Sequence, residues 1–134
     1  MLSPQAALIY AMVVAAESDH EIAEEEINII GDLVNHLPVF AGTSRHQVTE
    51  LAMACSEALA EVGGADRIYG MIREALNPHL REAAYALSCD VIAVDCRLQR
   101  DEMQVLEQIR QQLDVDRATA ATIERAAQVR FRAA

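Results

Sequence analysis

Asp19, Glu26, Asp95 and Glu102 are the residues whose types and spacing point most directly to chemistry. Each Asp-to-Glu pair spans eight residues, and the second pair repeats the first at an offset of 76. Carboxylate oxygens are hard ligands, so four of them suit a divalent cation such as Ca²⁺ or Mg²⁺, and Zn²⁺ also accepts them. Glu17, Glu21, Glu24, Glu25 and Asp101 deepen the local negative potential. If the two turns lie side by side, the four carboxylates converge. The same residues have a second reading. Glu26 and Glu102 fall at about the third position of a helix, where a carboxylate accepts from open backbone N–H groups and favours the helix dipole. Asp19 and Asp95 then act as turn formers that bond their own backbone. Ala23 and Gln99, at the N-cap positions, are poor caps, which leaves more of that work to the glutamates. A helix-loop-helix calcium loop takes about twelve residues to wrap its ion, so these shorter turns supply fewer ligands. Both readings stay open on the sequence.

Other constellations are incomplete. His20-Glu21-x-x-Glu24 lacks the second His of a zinc-protease helix. Glu17-x-x-His20 has the spacing of a di-iron pair, yet the repeat offers Ala93 and Cys96 at the matching places. His36, His46 and His79 are scattered, and Gly63-Gly64 is a helix stop without phosphate-loop residues after it. No catalytic unit assembles, and the chain is expected not to be an enzyme. Cys55, Cys89 and Cys96 form no CxxC pair and read as thiols in a reducing compartment.

These residues must be positioned by helices. At 134 residues the chain is one domain, residues 1–134, long enough to bury roughly two-thirds of its unfolded surface. Apolar residues make up 52% and aromatics 4%, a composition suited to closely packed helices, and no strand pattern competes. Start and stop signals divide the chain into about seven helices. Ser3-Pro4 opens the first, with Leu8, Ile9, Met12 and Val13 on its inward face up to about Ser18. The second begins near Ala23 and stops before Pro38, with a loop to Thr43. Ser44 and Gln47 have capping-box spacing and start the third, which Gly63-Gly64 ends. The fourth covers about Ala65 to Leu76, and Asn77-Pro78 opens a fifth that runs to about Val94. The sixth carries Met103, Leu106, Ile109 and Leu113 at helical spacing, and a cap on Asp116 begins the seventh.

Sliding the chain by 76 residues lays residues 7–37 over 83–113. Ile22 then meets Leu98, Ile30 meets Leu106 and Leu37 meets Leu113. The repeat is a helical hairpin used twice, with halves at about 4–37 and 78–113. Two such hairpins related by a pseudo-two-fold axis pack into a single compact all-α bundle.

Each copy reads Asp, an aliphatic residue three positions on, and Glu seven positions on: Asp19, Ile22, Glu26, then Asp95, Leu98, Glu102. In this the chain resembles the TerB-like domains of the tellurite-resistance group, which also occur in the N-terminal part of a membrane-anchored DnaJ-type co-chaperone. The resemblance covers nearly the whole chain. His20 and Cys96 stand where the family has glycine. It implies a non-enzymatic binding or scaffold domain in a metal-responsive or tellurite-stress complex, with a divalent cation (Ca²⁺, Mg²⁺ or Zn²⁺) at Asp19, Glu26, Asp95 and Glu102. It also implies a protein partner and peripheral association with a membrane complex; the first alternative is a metal-free interaction module of the co-chaperone type, and the second a metalloenzyme using the acidic turns.

The formal charge is −10 and all eleven basic residues are Arg, a balance that repels nucleic acid and anionic lipid. Arg117, Arg125, Arg130 and Arg132 gather near the C-terminus and read as a solvated basic face. The apolar run of residues 6–16 has no basic residue before it and is too short to span a bilayer, which takes about 20 residues, so a cytoplasmic location is expected.

Overall fold

The helix starts form where polar side chains satisfy open backbone donors. Ser3 Oγ accepts from Ala6 N–H at 3.1 Å and opens α1, Pro4–Ala16. Ser44 and Gln47 form the reciprocal box of α3, Arg45–Leu59: Gln47 N–H donates to Ser44 Oγ at 3.1 Å and Ser44 N–H to Gln47 Oε1 at 2.8 Å. Asn77 Oδ1 accepts from Leu80 N–H at 2.9 Å at the start of α5, Pro78–Val94. Asp116 accepts from Thr119 N–H at 3.1 Å and opens α7, Arg117–Arg130. Between them lie α2 (Glu24–Asn35), α4 (Gly64–Ala75) and α6 (Arg100–Leu113). The computed structural model describes residues 1–16, 23–94 and 100–131, with the backbone alone for 100–102. Among these residues there are seven α-helices and no strand, as the periodicity predicts.

The first helix departs from its expected single inward face. Every residue from Ala6 to Ala15 is buried, because α1 is the central rod against which α3, α4 and α5 pack and which α2 and α6 also touch. A helix apolar on all sides belongs inside, and the run from Ala6 to Ala16, with no charged residue and the Tyr10 hydroxyl as its one polar side-chain group, carries that signal. Its largest interface is with α5. There Ser88, fully buried, has one hydroxyl proton to share between Ala84 O at 2.9 Å and Ala11 O at 3.4 Å. Ala7, Ala11 and Ala84 are buried too, and such small residues allow a close approach of the two backbones.

The outer helices add one apolar stripe each. Ile30 and Val34 of α2, Val48, Ala52 and Cys55 of α3, and Ile68, Tyr69 and Ile72 of α4 face the core. The segment after Pro38 is more than a loop: Pro38–Phe40 forms a 3₁₀ turn that seats Phe40 in the core. At the α3–α4 corner the two glycines have different tasks. Gly63 takes a positive φ of 72°, and Gly64 leaves no room for a side chain, since a Cβ there would lie 1.9 Å from Ala58 O. No helix among the described residues is long and apolar enough to cross a membrane.

Arginines secure the helix ends on the far side. Arg81 donates to Leu76 O at 3.1 Å and Arg73 O at 2.9 Å, and Arg110 donates to Val115 O at 2.9 Å. Arg110 also pairs with Glu107 at 2.6 Å, and its hydrogen bonds hold the Glu107 carboxyl down to about 2. Ionised Glu107 therefore favours the fold. Its contribution is complete above the ordinary value of 4.5 and is lost as the pH falls through about 2. In urea titrations the midpoint advantage of wild type over Glu107→Gln is expected to hold near neutral pH, shrink on acidification and vanish below about pH 2. Added salt narrows the gap, because the pair is partly exposed.

Candidate functional site

Glu26 is the third residue of α2, and its Oε1 accepts from Ala23 N–H at 3.0 Å. Ala23 has no side-chain oxygen to return the bond, so the glutamate supplies the side-chain half of a cap alone. Glu24 and Glu25 precede it in the first turn, where negative charge meets the positive end of the helix dipole. Glu102 is the third residue of α6, so the two glutamates share a register in their helices. The side chain of Glu102, together with Asp19 and Asp95, lies outside the described residues, as do Glu17, His20, Glu21, Cys96 and Asp101. The capping role expected of Glu26 is thus present. Among the described residues no group of three or more His, Cys, Asp or Glu is placed to hold a metal ion.

The other singled-out residues separate. His36 bonds Asp32 O at 2.7 Å, and His46 pairs with Glu50 at 2.8 Å on the surface. Cys55 and Cys89 are buried, while Cys96 lies outside the described residues. Of the C-terminal arginines, Arg130 is tied to Asp90 of α5 and Arg117 approaches Glu107 at 3.6 Å, whereas Arg132 lies outside the described residues. The basic end of α7 is partly spent on holding α7 to its neighbours.

Sequence reasoning missed a groove of about 220 Å³ between α5, α6 and α7. Tyr85, Cys89, Ile92, Leu106, Met103 and Glu124 contribute to its walls. Met103, at helical spacing with the buried Leu106, is 59% exposed at this groove. On the wall, the Tyr85 hydroxyl donates to Glu124 Oε2 at 2.8 Å. Burial, with the negative Glu124 nearby, pushes the Cys89 thiol up to about 12, and burial likewise raises Tyr85. Both stay protonated at neutral pH. No spacing rule links residues 85 and 124; only the packing of α7 on α5 brings them together.

A family model for tellurite resistance protein TerB matches residues 5–125. The chain belongs to the TerB family. The match begins in α1 and ends within α7, so it includes both acidic turns and the Tyr85–Glu124 pair of this TerB-family domain. No curated protein and no solved structure matches the chain.

Proposed function

We propose that this TerB-family domain works in the cytoplasm by binding a protein partner rather than by catalysis, and that Asp19, Glu26, Asp95 and Glu102 hold a divalent cation at its two acidic turns. The observation that carries the cation reading is that Glu26 and Glu102 each stand third in their helix, one in α2 and one in α6. This common register supports an equivalent role for both. The cap uses Oε1 of Glu26 and leaves Oε2 for a cation. A bound ion would neutralise part of the acidic potential and draw the two turns together, which is how such a domain can alter a partner-binding surface.

A second reading, a metal-free interaction module of the co-chaperone type, is favoured by that same hydrogen bond, which already gives the Glu26 carboxylate a structural task. One pair of variants separates them. Glu26→Gln with Glu102→Gln keeps a side-chain acceptor but removes the charge a cation needs. Glu26→Ala removes the cap and is expected to cost about 1 kcal/mol. In calorimetric and amide NMR titrations with Ca²⁺, Mg²⁺, Mn²⁺ and Zn²⁺, wild type is expected to bind one of them saturably. The shifts should be confined to residues 17–26 and 93–102 and be lost in the double Gln variant. Flat wild-type titrations beside a destabilised Glu26→Ala would leave the glutamates as caps and favour the metal-free module.

A further inference from the structure

We infer that the groove between α5, α6 and α7 is a binding site for a small primary amine carried on an apolar body. The space exceeds the ~150 Å³ of an apolar cavity that takes benzene. Ile92, Leu106 and Met103 offer a hydrocarbon wall, and alanines at positions 93 and 127 leave the space unfilled. The polar part of the wall chooses the ligand. Among the described residues Glu107 and Glu124 line this groove and Asp90 lies next to Cys89 of its wall; two of the three have a cation, Asp90 being paired with Arg130 and Glu107 with Arg110. Glu124 is the exception. It accepts the neutral Tyr85 hydroxyl, and among the described residues no arginine or histidine forms an ion pair with it. It is half-buried at the edge of an apolar space, where a charge-assisted hydrogen bond is stronger than in water. An ammonium group reaches Glu124 from the groove while its apolar body covers Ile92 and Leu106. The net charge of −10 adds a field that attracts cations and disfavours anions of the same shape. Cys89, protonated and buried, presents a thiol rather than a thiolate, so the site binds without covalent capture.

The test titrates the full chain with three probes of one shape, 2-phenylethylamine, 2-phenylethanol and phenylacetate, followed by amide NMR. The amine is expected to shift residues around 85–93, 103–107 and 124–128 saturably and to bind about tenfold tighter than the alcohol, the scale of one charge-assisted hydrogen bond. Phenylacetate is expected to bind weakest. Glu124→Gln, whose amide oxygen still accepts from Tyr85, should bring the amine down to the alcohol. Ala93→Leu, which fills the groove from a partly exposed position, should abolish both. Equal binding of amine and alcohol by wild type would overturn the proposal, as would amine affinity unchanged in Glu124→Gln. So would amine shifts that follow the exposed acidic residues 24–26 without saturating.

Discussion

Gly64→Ala is expected to lower the unfolding free energy by about 3 kcal/mol or more, the upper range for forcing an atom into occupied space. Its Cβ would lie 1.9 Å from Ala58 O, 3.0 Å from Ala58 C and 3.1 Å from Leu59 Cα. All three are backbone atoms at the end of α3, so relief requires the α3–α4 corner to move as a whole, against the burial of Ile68 and Ile72 just beyond it. The neighbouring Gly63→Ala is the control. A Cβ there meets nothing within 4 Å, and the cost is only that of holding alanine at a φ of 72°. That is worth about 1–2 kcal/mol. Urea unfolding of both variants decides the matter: a Gly64→Ala midpoint equal to or above that of Gly63→Ala would remove the close approach from the account.

Ala7→Glu is expected to cost about 4 kcal/mol or to prevent folding altogether, the scale of a buried charge without a partner. If α1 presented only Leu8, Ile9, Met12 and Val13 to the core, Ala7 would lie on its outer side and tolerate the change. Ala7 is instead fully buried, like Leu8 and Met12. Val129→Glu, at a position 51% exposed on α7, is expected to stay within about 0.5 kcal/mol of wild type. Thermal melts of the two variants measure the contrast. A folded Ala7→Glu near the wild-type midpoint would place α1 at the surface.

What could be read beforehand was local. Ser3, Ser44 with Gln47, Asn77 and Asp116 each cap the helix their spacing announced, because a cap depends on three or four consecutive residues. The repeat also placed Glu26 and Glu102 correctly at equivalent helix positions. Phe40 was misread as loop, and the helical spacing of the sixth helix did not tell exposed Met103 from buried Leu106, because burial depends on which neighbour lies opposite. The groove was invisible for the same reason: Tyr85 with Glu124, and Asp90 with Arg130, are joined across about forty residues by the docking of α7. The four acidic positions were legible as a pattern, while their convergence depends on turns outside the described residues.

The burial of α1 on every side also bears on how the chain is born. Its ten residues from Ala6 to Ala15 leave the ribosome before any of α3, α4 and α5, the helices that enclose them. At synthesis rates of roughly 5–20 residues per second, the stretch from the end of α1 to the end of α5 takes about 4–16 s to emerge. For that interval the apolar stretch of residues 6–15 lacks the full set of helices that covers it in the folded domain. The innermost rod of the finished domain is therefore its longest-exposed segment during synthesis.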